Sequence, residues 1–238
     1  MRTLSNPELL ELWERGSGLH PLDRALLALL RALPGERYDA LADWPLGKRN
    51  AALIELHRAC FGSALTGWVA CPECGVRLEF SLDAGLVAQG RREAGEKSTI
   101  NGLSFRPVTS RDLAAIAGQS DERAAALELL RCTCIEGREG GDRKLSNALE
   151  ADLDAIGDLL SEEDPLAEML LDFECAACKL HWSEPLDIAA WLWTEIEAHA
   201  RRLLYDVHTL AAAYGWSERE ILSLGETRRA LYLQMVQA

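Results

Sequence analysis

The sequence contains no long uninterrupted apolar run. Its opening residues, MRTLSNPELLELWERG, carry acids within their apolar pattern, so they resemble neither a secretory signal peptide nor a membrane-spanning segment. This absence predicts a protein that is made and folded in the cytoplasm and that does not bind a membrane. With 238 residues, 48% of them hydrophobic, the chain can still bury a sizeable core.

Basic residues are scarce, because 25 Lys and Arg stand against 38 Asp and Glu, for a formal net charge of −13. Between Leu145 and Cys178 there is no Lys or Arg at all. The acids of this stretch are Glu150, Asp152, Asp154, Asp158, Glu162, Glu163, Asp164, Glu168, Asp172 and Glu174. Such a surface repels nucleic-acid phosphates, so nucleic-acid binding is not expected. A solvated helical face explains most of these acids, and a docking surface for a basic partner is the alternative.

The sequence also lacks the motifs that carry common enzyme chemistry. It has 5 histidines, but no His-Glu-x-x-His zinc helix, nucleophile elbow or dinucleotide-binding fingerprint. The carboxylates of the acidic stretch are too evenly spaced to single out an acid–base pair. We therefore expect a protein that is not an enzyme and has no small-molecule substrate.

Cysteine is present in an odd number, 7, and four of these have metal-ligand spacing, which favours a reducing compartment over a disulfide framework. Two Cys-x-x-Cys pairs, Cys71/Cys74 and Cys175/Cys178, stand far apart, and each precedes a strand-like alternation of apolar and polar residues. Structural zinc sites take four thiolates in a tetrahedron, and a two-residue spacer lets both sulfurs of one turn face one metal. The pattern predicts one structural Zn²⁺ bound by both pairs, in a zinc ribbon split between them.

The alternative for each pair is a redox dithiol or two unrelated thiols. A thioredoxin-like dithiol would open a helix, whereas Gly75 and the strand-like segment VRLEFSL follow the first pair, so redox catalysis is not favoured. The remaining thiols, Cys60, Cys132 and Cys134, are assigned no chemistry. We interpret the last two as the thiol-rich end of an apolar helix.

Helical periodicity dominates the rest of the chain. It predicts a helix from Pro21 to Leu33, a second over LGKRNAALIELHRACF that stops at Gly62, and one long amphipathic helix over IAAWLWTEIEAHARRLLYDVHTLAAAY that stops at Gly215. Beyond that stop, Ser217 and Glu220 predict a capping box for a short helix, and a final helix follows.

In the middle of the chain, the dipeptide Asn101-Gly102 between short β-favouring runs predicts a hairpin. Together the elements predict an α+β, mainly α-helical protein with four parts. The parts are an N-terminal helical segment (1–70), a split zinc ribbon (71–82 with 173–187), an inserted lobe containing the hairpin and the acidic helices (83–172), and a C-terminal helical arm (188–238).

The end of the chain also has the outline of a helix-turn-helix, so a zinc-ribbon DNA-binding regulator is the alternative function. Against it, the recognition helix would present Glu218 and Glu220 at its N-terminal end, where base edges and phosphates need hydrogen-bond donors.

Several segments together resemble one protein family. They are LGKRNAALIELHRACFG before the CPECG turn, FRPVTSRDLAAIA, FECAACKLHWSEPLDIAAWLWTEI and LLYDVHTLAAAYGWSEREILSLGETRRALYLQMV. The combination is similar to the T-even-like phage baseplate hub assembly proteins, which also occur in gene clusters of contractile injection systems. The similarity covers most of the chain and is weakest in residues 1–18 and 80–98. Its most specific part, AxxYGWSExEIL followed by RRxxYL, is matched by Ala211, Tyr214, Gly215, Trp216, Ser217, Glu218, Glu220, Ile221, Leu222, Arg228, Arg229, Tyr232 and Leu233.

The resemblance implies a non-enzymatic role in assembling the baseplate or hub of a contractile tail, as a transient chaperone or as a minor part of the finished particle. The implied partners are baseplate, hub or spike proteins. Cysteine pairs are not uniform in such families, so the zinc prediction depends on the spacing in this chain.

Aromatic and arginine side chains are common at protein interfaces, so they are candidate partner-binding residues in addition to the acidic stretch. These candidates are Trp182, Trp191, Trp193, Trp216, Arg228 and Arg229. Core packing is the alternative for the tryptophans, and pairing with acids of this chain is the alternative for the arginines.

Overall fold

A computed structural model describes residues 1–89, 97–136 and 142–237. The helices are α1 (Asn6–Gly16), α2 (Pro21–Ala32), α3 (Tyr38–Ala42), α4 (Leu46–Phe61), α5 (Ala84–Gln89), α6 (Ser110–Ile116), α7 (Glu122–Thr133), α8 (Asp142–Ala151), α9 (Leu153–Glu163), α10 (Ile188–Tyr214), α11 (Glu218–Ser223) and α12 (Glu226–Gln237). The strands are β1 (Ala64–Ala70), β2 (Arg77–Asp83), β3 (Ser98–Ile100), β4 (Leu103–Phe105), β5 (Cys134–Glu136), β6 (Leu170–Glu174) and β7 (His181–Pro185). The predicted α+β, mainly helical composition is confirmed.

The main core lies between the N-terminal helices and the long helix α10, which packs against α1, α2 and α4. The apolar stripe predicted for α10 is buried there, with Ile188, Leu192 and Ile196 packing into the same cluster as Leu29 and Leu53. Each such side chain contributes about 1.5–3 kcal/mol when it leaves water. Burial of this stripe therefore fixes the C-terminal helix to the N-terminal half of the chain.

Helix ends follow local signals in the sequence. Pro21 occupies the first turn of α2, and the left-handed backbone of Gly215 (φ 69°) ends α10. Ser217 and Glu220 then form the predicted capping box of α11. Helices α2, α4 and α10 therefore begin and end within one residue of their expected positions.

A second, separate core lies in the middle of the chain, within the predicted inserted lobe. Leu103, Phe105, Leu130, Leu149 and Ile156 bring β4, α7, α8 and α9 together there. Strands β3 and β4 form the predicted hairpin, and both of its turn residues, Asn101 and Gly102, have positive φ. The predicted span 83–172 also includes residues 90–96 and 137–141, which lie outside the described residues.

One local prediction is wrong in part. Cys132 does lie in the last turn of α7, but Cys134 lies in β5, where it pairs with Phe105. The chain leaves the helix because β4 offers a free edge, and Arg106 N–H donates to the carbonyl of Thr133 at 3.0 Å. Pairing between strands overrides the helical pattern here.

The remaining four strands make two antiparallel hairpins, β1–β2 and β6–β7. Alternate residues of each strand are exposed, so one face of each hairpin meets solvent. Among the described helices, none combines the length and hydrophobicity that crossing a lipid bilayer requires.

Candidate metal centre

Each hairpin turns through one Cys-x-x-Cys pair, and the two turns have the same backbone. In the first, Cys71 N–H donates to Val76 O and Cys71 O accepts from Gly75 N–H, both at 2.9 Å. In the second, Cys175 forms the same two bonds with Leu180 and Lys179, again at 2.9 Å. The repeated turn points both sulfurs of each pair to the same side, as the two-residue spacer predicts.

The two turns bring four thiols into one cluster. The sulfurs of Cys71, Cys74, Cys175 and Cys178 all lie within 4.8 Å of one another. Two sulfur pairs join the turns directly, with 3.5 Å between Cys71 and Cys178 and 3.5 Å between Cys74 and Cys175. A tetrahedral site with metal–sulfur bonds of about 2.3 Å needs sulfurs about 3.8 Å apart, so this donor set fits one metal ion. All four cysteines are free thiols.

The thiols of the cluster affect one another's ionisation. Backbone N–H groups of Cys178 and Ala177 lower the pKa of the Cys175 thiol to about 6. At Cys178 the Leu180 N–H also acts to lower the pKa, but desolvation and the neighbouring thiols outweigh it and raise the pKa to about 12. The Cys175 thiolate is stabilised, whereas ionisation of the neighbouring Cys178 thiol is disfavoured. A divalent cation bound between them would balance the negative charge and so allow both thiols to ionise.

The two turns differ at the residue that follows the second cysteine. Gly75 has φ 72° and Lys179 has φ 64°, so both adopt the left-handed conformation, which favours glycine over residues with a Cβ. A Cβ at Gly75 would have open space around it, so the backbone alone decides the preference there. The second turn therefore carries a conformational cost that the first turn lacks.

We expect Lys179→Gly to raise the free energy of unfolding by about 0.5–1 kcal/mol, because the substitution relieves this backbone cost. The ion pair it removes, between Lys179 and Glu174 at 3.6 Å, is exposed and contributes little. Urea unfolding of both proteins measures the difference. The matched control, Gly75→Ala, should shift stability by a similar amount in the opposite direction, and equal stability of all three proteins would contradict the argument.

Aromatic rings connect the two hairpins beside the thiol cluster. The ring of Phe80 in β2 lies 5.5 Å from that of Phe173 in β6 and 5.8 Å from that of Trp191 in α10. The Trp191 ring also covers Gly67, where a Cβ would come within 2.4 Å of the indole. The thiol cluster is therefore attached to α10, and through it to the main core, by ring packing.

Two of the six candidate partner-binding residues are buried. Trp193 is 8% exposed, packs in the main core and stacks on Arg24, whose guanidinium lies 4.8 Å from the ring centre. Arg229 is 4% exposed and donates to Asp206 at 2.8 Å. For these two residues the interface prediction is corrected to the alternatives, core packing and ion pairing within the chain.

The other four candidates are at least partly accessible. Trp182 stacks on Phe173, and Trp191 covers Gly67 as described above. Trp216 stacks on Tyr214, and Arg228 is exposed. Contact between these four residues and a partner stays a prediction.

Adjacent arginines provide a direct test of the ion pair. We expect Arg229→Met to lower the free energy of unfolding by about 2 kcal/mol, because it leaves the Asp206 carboxylate, whose side chain is 18% exposed, without its cation. Arg228→Met removes the same charge at an exposed position and should change stability by less than about 0.5 kcal/mol. Chemical denaturation measures both, and equal effects would show that the buried pair adds nothing.

Sequence patterns missed a buried polar network in the first turns of α4. Arg49, 6% exposed, donates from Nε and Nη2 to Asn50 Oδ1 at 3.1 and 2.9 Å, and from Nη1 to Ser110 Oγ at 3.1 Å. Asn50 Nδ2 donates to Leu166 O at 2.7 Å. The network ties α4 to the start of α6 and to the segment that leads into β6.

Asp164 is another residue whose role the sequence did not indicate. Its carboxylate is buried and accepts from Gly47 N–H at the start of α4, at 2.9 Å. Desolvation raises the pKa of Asp164 above its ordinary value, although the Gly47 bond opposes the change. This acid therefore caps a helix distant in sequence and is not part of a solvated face.

Comparisons with family models, with curated proteins and with solved structures find no match to this chain.

Proposed function

We propose that Cys71, Cys74, Cys175 and Cys178 hold one structural Zn²⁺, in a zinc ribbon whose halves are the hairpins β1–β2 and β6–β7. The support is a set of four sulfur donors that all lie within 4.8 Å of one another. Four thiolates suit a closed tetrahedral site, which leaves no coordination position for a substrate. When bound, the metal would cross-link the two hairpins through cysteines that lie 107 residues (Cys71 and Cys178) and 101 residues (Cys74 and Cys175) apart in the sequence. Its role in this proposal is architectural.

We further propose that the chain is a non-enzymatic assembly factor, or a minor structural component, of the baseplate or hub of a contractile phage tail or injection system. It acts by binding baseplate, hub or spike proteins. The observation that carries the proposal is the closing motif that resembles the baseplate hub assembly family. Its residues form one unit in space, because Trp216 stacks on Tyr214 at 4.7 Å and meets Tyr232 edge-on at 4.9 Å.

The same unit supports protein binding better than the alternative, DNA binding. Tyr214 is 39% exposed, and aromatic side chains of this kind serve as interface anchors. At the N-terminal end of α11, Glu218 is exposed and Glu220 accepts hydrogen bonds from Ser217. Carboxylates there oppose the approach of phosphates, so the helix-turn-helix outline gains no support from charge.

Co-purification with tail components tests the assembly role. The full chain would be co-expressed with each baseplate, hub and spike protein encoded beside its gene, and the complexes isolated by size-exclusion chromatography. We expect a defined complex with one of them and no shift of duplex DNA at low salt. Tight duplex binding with no tail partner would overturn the proposal in favour of the DNA-binding regulator.

A further inference from the structure

An open apolar groove lies between helices α6, α7 and α9. Its volume is about 770 Å³. Half-buried leucines form its floor, with Leu113 from α6, Leu129 from α7, and Leu153 and Leu160 from α9. Isolated exposed leucines are ordinary on protein surfaces, but a continuous apolar floor of this kind marks a binding site.

Acidic side chains line the edge of this groove. Asp154, Asp158, Glu163 and Glu168 are exposed, and no Lys or Arg is among the described residues that line it. None of these four carboxylates makes an ion pair or a side-chain hydrogen bond within the described ranges 1–89, 97–136 and 142–237. The groove thus combines an apolar floor with carboxylates whose charge nothing in the described chain balances.

Gly157 lies in the interior of α9, between Leu153 and Leu160 on the groove floor. Its backbone is helical, and a Cβ there would meet nothing within 4 Å. Glycine in a helix interior costs about 1 kcal/mol relative to alanine, and packing within this chain does not require it. The missing side chain leaves room for another backbone to approach α9 closely.

We propose that this groove binds an amphipathic helix of a partner protein, with apolar side chains on the leucine floor and Lys or Arg side chains beside the acidic rim. The proposal rests on the protein-binding role proposed above and names the chemistry of the partner segment. Helices bind in grooves through an apolar stripe at i, i+3, i+4 and i+7, and flanking charges fix their orientation. Gly157 then marks the point of closest approach.

A synthetic peptide tests the groove without a known partner. The probe is a fluorescent helical peptide with leucines at i, i+3, i+4 and i+7 and lysines on both flanks of the stripe, titrated into the full chain. A scrambled peptide of the same composition, with no continuous stripe, measures attraction to the acidic surface alone. We expect the ordered peptide to bind at least about tenfold more tightly than the scrambled one, because only it can cover the leucine floor.

Matched variants then locate the binding site. Asp154→Asn, Asp158→Asn and Glu168→Gln together should weaken binding by about tenfold at low salt. Glu122→Gln, Glu150→Gln and Glu162→Gln together remove the same charge from acids outside the groove, and should change binding less than about twofold. Gly157→Leu should weaken binding by at least about tenfold while the thermal midpoint is not lowered, since leucine favours the helix.

Three results would overturn the proposal. They are equal binding of the two peptides, equal effects of the two charge variants, and self-association of the chain that Gly157→Leu abolishes, which would make a second copy the occupant. If the peptide does not bind but a complex with a tail protein forms, the groove proposal is wrong and the assembly role stands. If the peptide binds but no tail protein forms a complex, the groove proposal stands and the assembly role is wrong.

Discussion

Replacing Cys74 or Cys178 by serine is expected to abolish stoichiometric zinc binding and to lower the thermal midpoint by at least about 10 °C. A serine hydroxyl is a poor ligand for this metal, and a structural zinc site contributes its binding free energy directly to folding. The loss should be large in this chain because the sulfur cluster joins two hairpins that, in the part of the chain that the structure describes, pair with no other strand. Elemental analysis and a thermal melt measure the two effects.

The two variants come from different hairpins, which makes the prediction specific for a shared site. If one metal uses all four sulfurs, the Cys74→Ser/Cys178→Ser double variant should be no less stable than either single variant, because the first change already empties the site. Cys132→Ser, a thiol in α7 outside the cluster, should keep one zinc per chain and nearly the same midpoint. Additive losses, or metal retained in a single variant, would contradict the split ribbon.

Replacing Asn50 by leucine is expected to lower the free energy of unfolding by about 3 kcal/mol. The change removes the acceptor for two of the three hydrogen bonds that the buried Arg49 guanidinium makes, and also leaves Leu166 O without its donor. Burial already lowers the pKa of Arg49, which shows that its charged form is poorly solvated. Chemical denaturation followed by circular dichroism measures the loss.

A double variant tests whether the unpaired charge is the cause. Arg49→Met with Asn50→Leu removes both polar groups and should recover at least about 1 kcal/mol relative to Asn50→Leu alone, because no buried cation is left behind. Lys48→Met, at the exposed neighbouring position, should cost less than about 1 kcal/mol. A double variant less stable than Asn50→Leu would show that the guanidinium packs favourably without its acceptor.

Much of the fold could be predicted from the sequence because local signals and burial agree. The stripe of α10, its stop at Gly215, the capping box at Ser217 and the Asn101-Gly102 turn each state a local preference that the structure keeps. The four sulfurs could be predicted to meet because the Cys-x-x-Cys spacing of both turns suits half of one metal site.

The residues that the sequence did not reveal depend on contacts between distant segments. Arg49 and Asn50 follow Lys48 and look like a solvated polar patch, and only tertiary packing buries them. In the sequence, Asp164 looks like one more acid of a solvated face, although one signal of its role is present. The residue before α4 is Pro45, which has no side-chain cap, so the helix start needs an acceptor from elsewhere in the chain.

Translation separates the two halves of the sulfur cluster in time. Cys175 is made 101 residues after Cys74, an interval of about 5–20 s at the 5–20 residues per second of ribosomal synthesis. Until then, the proposed metal site has only its first two thiols, which are open to oxidation or to binding other metals. The N-terminal helices α1, α2 and α4 also lack their packing partner α10 at this stage, because α10 is synthesised later still. The nascent protein therefore depends on its last third to complete what its first third begins.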